Sequence, residues 1–175
     1  LGIQIRLRQP ADASQITARE HQLGVAIPSP YRTLLELTDG GVPLQNYFSP
    51  DIGINQFLGL EEIVKWRQLL GDRLPRSMVP IAKAAGGNLV CLSTGEEPAG
   101  VYFWDHELED APGGPFSKIA PSFDQFINRL QEFPAGLETP AVLSVKADPD
   151  FLRQEIQKQA VERSGVVVVW PPADS

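Results

Sequence analysis

Three short apolar runs set close together constrain this chain most: VPIAKA at 79–84, LVCLS at 89–93 and VYFW at 101–104. Each is too short for a buried helix, and each is rich in β-branched or aromatic residues. Gly86-Gly87-Asn88 separates the first two, and Gly95-Glu96-Glu97-Pro98 precedes the third. These are turn formers, so the runs read as a hairpin and a returning third strand. The connections are too short for a crossover helix, which makes the pairing antiparallel.

Helical segments precede and follow these runs in the chain. Asp12 or Ser14 can cap a helix reaching about Leu23, with Gly24 as its stop. Ser29 is read as the cap of a second helix, with Pro30 first inside it and Tyr31, Leu34, Leu35 and Leu37 as its buried face. Asp39-Gly40-Gly41 ends that helix. Residues 60–70 carry Ile63, Trp66 and Leu70 on one stripe, and Ser122 opens a helix to Leu130 with Phe123, Phe126 and Ile127 inward. Residues 3–7 alternate as a strand. Residues 44–48 and 54–58 read as short extended pieces around a turn at Ser49-Pro50-Asp51, and 116–119 as a further strand. Beyond Pro134, Gly136 and Pro140 come a helix at about 148–163 and the run GVVVVW, expected to join the main sheet beside residues 3–7. The expected fold is α+β: a mostly antiparallel sheet of about five to seven strands packed against helices, with a C-terminal helix–strand extension.

At 175 residues a chain can bury roughly 70% of its unfolded surface, enough for a core without staples. No apolar run approaches membrane-spanning length. One cysteine, Cys91, excludes an intrachain disulfide and suits a reduced compartment, and no basic stretch leads into an apolar one as in a secretory signal. The reading is cytoplasmic. Net charge is −7, and between Lys83 and Lys118 there is no Lys or Arg. That interval carries Glu96, Glu97, Asp105, Glu107, Glu109 and Asp110. Such a surface repels phosphate backbones, which argues against nucleic acid, and attracts a basic partner; it also serves as a solvated face that keeps the chain soluble.

The triplet Asp105-His106-Glu107, straight after a strand, has three readings. As a reaction or metal centre it needs further ligands; His21 is the other histidine, and no HxH, HExxH or CxxC spacing is present. As structure, it fixes the strand end. As a contact surface, it meets a partner. Trp104 and Trp66 read as core, whereas Tyr47 and Phe48, beside a polar turn, suit an exposed groove. Gly86-Gly87-Asn88 lacks the lysine and the strand-to-helix setting of a phosphate loop. Cys91 sits in an apolar run and reads as an inert thiol.

Four pieces, in order, resemble the SUKH superfamily of fungal cell-wall-assembly (SMI/KNR-type) regulators and bacterial immunity proteins. They are EHQLGVAIPSPY at 20–31, LELTDGG at 35–41, VPIAKAAGGNLVCL at 79–92, and GVYFWDHE at 100–107 followed by IAPSFDQFI at 119–127. Asp39 stands where the family has Asn. The resemblance covers about 12–134, giving a SUKH-like domain there and an extension at 135–175 that it does not explain. It implies a compact α+β interaction scaffold. Many relatives bind and neutralise toxins delivered by neighbouring cells; others are intracellular adaptors. The expectation is therefore a non-enzymatic protein-binding domain, without cofactor or metal. Its proposed role is an immunity protein occluding a basic, nuclease-type toxin through Glu96, Glu97, Asp105, His106, Glu107, Glu109 and Asp110, with Tyr47 and Phe48 as groove residues. An adaptor without a toxin partner, and a metal-assisted hydrolase built on Asp105, His106 and Glu107, are the alternatives.

Overall fold

The computed structural model describes residues 3–95 and 99–132, and the backbone of 167–170. In chain order the elements are β1 (Ile3–Arg6), α1 (Ala13–Leu23), α2 (Ser29–Leu37), β2 (Val42–Pro43), β3 (Tyr47–Ser49), β4 (Ile52–Phe57) and α3 (Leu60–Leu70). They continue with β5 (Met78–Ala84), β6 (Leu89–Ser93), β7 (Val101–Trp104), β8 (Phe116–Ala120), α4 (Phe123–Arg129) and β9 (Val167–Trp170). Strands β3 to β8 form a six-stranded antiparallel sheet in sequence order, and β2-β1-β9 form a second, smaller one. The fold is α+β, as expected.

The register explains the unbroken apolar runs. Val79, Leu92, Val101 and Ala120 form one cross-strand row, and Ala82, Val90, Phe103 and Ser117 another. The apolar members of both rows face the larger core, where Tyr31, Leu34 and Leu35 of α2, Ile63 of α3 and Phe123, Phe126 and Ile127 of α4 cover them. The row between them holds Cys91 and Tyr102, and the row beyond the second holds Leu89, Trp104 and Phe116. These turn to the opposite face, a smaller core closed by Trp66, Leu70 and Leu74. The strands read as continuous because α3 and the residues after it cover the face that α2 and α4 leave open.

Segment 38–41 ties the two sheets together. Gly41 exchanges both backbone hydrogen bonds with Phe57, and the Thr38 hydroxyl accepts from the Arg8 N–H at 2.9 Å. Gly40 has φ +74, and a Cβ there would lie 2.5 Å from the Phe57 carbonyl oxygen and 2.6 Å from the Gly59 nitrogen. At Gly41, φ +135, a Cβ would overlap the Arg6 carbonyl. Asp39 accepts the Leu60 N–H at 2.6 Å and so caps α3 from 21 residues away. The Tyr31 hydroxyl lies 2.6 Å from the Leu58 carbonyl and 2.7 Å from that of Ile81, joining α2 to β5.

Several details depart from the sequence reading. Helix α2 starts one residue early: Pro28 is its cap, with no side-chain bond, and Ser29 is inside. Leu37 is exposed, because the buried stripe runs from Tyr31 through Leu34 and Leu35 to Thr38. Residues 44–46 link β2 to β3 rather than forming a strand, since the Leu44 N–H goes to Gln4 and the Asn46 carbonyl to Ile54. Strand β9 does pair with β1, Ile5 opposite Val168, but in the small sheet and not the main one. The helix read at 148–163 lies outside the described residues.

Candidate functional site

Trp104 ends β7 as a buried side chain, 2% exposed, and the polar triplet begins where the sheet stops. The Asp105 side chain caps the next segment: its Oδ1 accepts the Glu107 N–H at 3.0 Å and starts a single 3₁₀ turn at His106–Leu108. Strand alternation therefore ends at Trp104. Asn88, from the β5–β6 turn, clamps the next residue: its Oδ1 accepts the His106 N–H at 3.2 Å and lies 2.7 Å from His106 Nδ1. The His106 ring also lies against Trp104, centroids 6.1 Å apart. Backbone bonds from Asp105 to Pro115, Leu108 to Asp105, Ala111 to Leu108 and Gly114 to Ala111 fold the rest of the loop on itself.

A second clamp comes from the 3₁₀ turn Gly71–Arg73 that follows α3. Arg73 donates through Nε to Glu109 at 2.8 and 3.0 Å and through Nη2 at 2.7 Å, a forked geometry that fixes both groups. Its guanidinium stands over the Trp104 ring, 5.6 Å from the centroid. Arg73 thus neutralises one carboxylate of the acidic interval. Among the described residues Asp72, Glu107 and Asp110 make no ion pair.

The structure brings Asp105, His106, Glu107, Glu109 and Asp110 together in one corner at the β7 exit. Glu96 and Glu97 lie outside the described residues; their described neighbours, Gly95 and Ala99, leave the opposite ends of β6 and β7. Tyr47 and Phe48 are on β3, the far edge of the sheet from β8. There Tyr47 pairs through its backbone with Gln131, and Phe48 packs on Phe126 at 5.2 Å beneath the Arg129 guanidinium at 4.3 Å. Neither side chain joins the acidic corner. Arg73 and Asn88 went unrecognised in the sequence. Arg73 stands 36 residues from its partner, Asn88 reads as a turn residue, and neither carries a local signal.

Among the described residues no three His, Cys, Asp or Glu side chains gather where they could hold a metal. His21 lines a separate open cleft of about 490 Å³ beside Arg67 and Arg76, between the C-terminal ends of α1 and α3. Burial pushes the Cys91 thiol far above its usual range, only partly opposed by the charge of Arg67. No described helix is long and apolar enough to cross a membrane.

Comparison with known proteins adds two findings. The sequence model of the SMI1 / KNR4 family (SUKH-1) matches residues 10–129. A prophage-derived uncharacterized protein of Bacillus subtilis (strain 168), YokK from SPbeta, is 40% identical over 83 residues. That alignment covers 46% of this chain and 42% of the relative, so the chain spans less than half the relative's length.

Proposed function

Because the chain belongs to the SMI1/KNR4 family (SUKH-1), we propose that it acts by binding another protein, without catalysis, as an immunity protein that occludes a basic toxin domain of the nuclease type. One observation carries this reading. The polar groups after Trp104 hold the loop: Asp105 caps a turn through Oδ1, and His106 is clamped by Asn88 through its N–H and Nδ1. What remains outward is negative charge on a backbone that is already ordered. A preformed surface avoids much of the ordering cost of association. Its charge steers a positively charged partner and raises the encounter rate, while apolar contact supplies the slow dissociation. Covering a cationic nucleic-acid cleft excludes the polyanionic substrate. The partner acts where nucleic acid is, which makes the cytoplasm the working compartment.

Co-expression tests this. A toxin domain encoded beside the gene arrests growth when produced alone, and this chain, produced with it, restores growth. An active toxin whose effect persists beside soluble chain overturns the immunity reading. If a resident cell protein then binds the same corner, the adaptor reading takes its place.

A further inference from the structure

The open cleft between the C-terminal ends of α1 and α3 gathers positive charge in a chain whose net charge is −7. Arg67 and Arg76 line it together with His21, and Asp72 is the one acid among its described lining residues. Neither arginine makes an ion pair among the described residues, and nor does Asp72. Arg67 is held in place: its Nη1 donates to the carbonyls of Leu74, Pro75 and Met78 at 3.1, 2.7 and 3.1 Å. Its Nε and Nη2 make no hydrogen bond among the described residues. Those two N–H groups form the guanidinium edge that grips an oxyanion as a fork. Burial disfavours the charged form of Arg67, and the like charge of Arg76 acts in the same direction. Two guanidinium groups thus stand close enough to repel each other with no carboxylate bonded between them. A bound anion relieves that repulsion.

Charge and shape narrow the ligand. Asp72 and the last carbonyls of the two helices oppose an anion, but a helix end acts only within its final turn, and Arg67 already meets three of the carbonyls after α3. A long polyanion is excluded by what adjoins the cleft. The turn Gly71–Arg73 borders it and leads to the Arg73–Glu109 pair and the acidic corner, which repels a phosphate backbone. A single phosphate group carries a charge of about −1.5 to −2 at neutral pH and three oxygens, enough to meet two guanidinium groups; a carboxylate carries half of that. Leu23, Val64 and Leu74 supply apolar wall, and the cleft, about 490 Å³, has the size of a small-molecule site. We infer that this cleft binds the phosphate group of a small ligand, its oxygens held by the Nε–Nη2 edge of Arg67 and by Arg76, with His21 as a further donor. The inference is independent of the immunity reading, which uses the acidic corner.

Backbone amide NMR of the full chain, titrated with inorganic phosphate at constant ionic strength and neutral pH, tests the cleft. Saturable shifts are expected at Gly24, Gly71 and Asp72, which line it. Arg76→Gln weakens the affinity about tenfold or more. Lys65→Gln removes the same charge from an exposed position on α3 outside the cleft lining and leaves the affinity unchanged. Thermal melts give a second readout. Without added anion Arg76→Gln melts at or above wild type, because it removes a repulsion and no bond, and the rise in midpoint that phosphate gives wild type is lost. Phenyl phosphate separates the sources of the group: tighter binding than inorganic phosphate assigns an organic phosphate ester, and equal binding assigns the free ion. Shifts that do not saturate, saturation that survives Arg76→Gln, or an equal response to acetate overturns the inference. An Arg76→Gln protein that melts well below wild type gives Arg76 a structural role and overturns it too.

Discussion

Replacing Gly40 and Gly24 by alanine separates two costs that a glycine can hide. Both residues have left-handed backbones, φ +74 and φ +65. An alanine pays about 1–2 kcal/mol for that conformation, offset by roughly 0.4–1 kcal/mol because it also restricts the unfolded chain. At Gly24 nothing lies within 4 Å of the added Cβ, so the net loss is about 1 kcal/mol. At Gly40 the new carbon meets three backbone atoms at 2.5, 2.6 and 2.7 Å, in Phe57, Gly59 and Leu58. No rotamer relieves a backbone overlap, so β4 and the start of α3 must move, disturbing the Gly41–Phe57 pair and the Asp39 cap. We expect a loss above about 4 kcal/mol, within reach of the whole stability of an ordinary domain. The gap of about 3 kcal/mol corresponds to a midpoint some 6–12 °C lower for Gly40→Ala than for Gly24→Ala. Urea unfolding followed by tryptophan fluorescence, with calorimetry alongside, measures it. If the two variants fall within about 1 kcal/mol of each other, segment 38–41 does not make the close approach described.

Three further outcomes are expected. Tyr31→Phe removes the hydroxyl shared by Leu58 and Ile81 and should cost about 1–2 kcal/mol in urea unfolding, since Ile81 keeps its bond from the Leu58 N–H; a neutral change refutes that role. Burial alone would raise the Glu62 carboxyl, but the Gly59 N–H, the charge and donation of Arg8, and Gln56 hold it below its ordinary range. Its stabilisation is therefore complete above about pH 4.3 and is lost as pH falls through the lower, folded value. Glu62→Gln should flatten that acid limb of stability against pH, and an unchanged limb contradicts the assignment. Cys91 should stay unmodified by a thiol reagent at neutral pH until the protein unfolds, because burial disfavours its thiolate; rapid labelling of the native protein contradicts its placement.

The main sheet was legible in the sequence because its signals are local. Apolar runs of strand length, separated by glycine and proline, leave antiparallel pairing as the simple solution, and β5, β6 and β7 follow it. Helix ends with their own cap residues were legible too, as with Ser122 at α4; at α1 the sequence offered Asp12 or Ser14, and Asp12 is the cap. Pro28 was missed because it caps α2 without a side-chain bond. The division into two sheets was not legible. It depends on Gly40 and Gly41 letting β4 and β1 approach segment 38–41, and glycine reads in sequence only as a helix stop. At the site, the acidic interval is plain from composition, but its neutralisation by Arg73 is a tertiary fact. Asp105 and Glu107 look like a carboxylate pair on one strand face until the Asp105 cap turns the chain after Trp104.

The central claim is that the corner after Trp104 meets a basic protein through its negative charge. Stopped-flow association with the catalytically dead toxin domain, at low and at high salt, tests this for wild type and Glu107→Lys/Asp110→Lys. Glu109 is left intact because reversing it would also break its bond with Arg73. Electrostatic steering predicts association about tenfold or more slower for the variant at low salt, converging on wild type as salt screens the field. An unchanged association rate at low salt contradicts it.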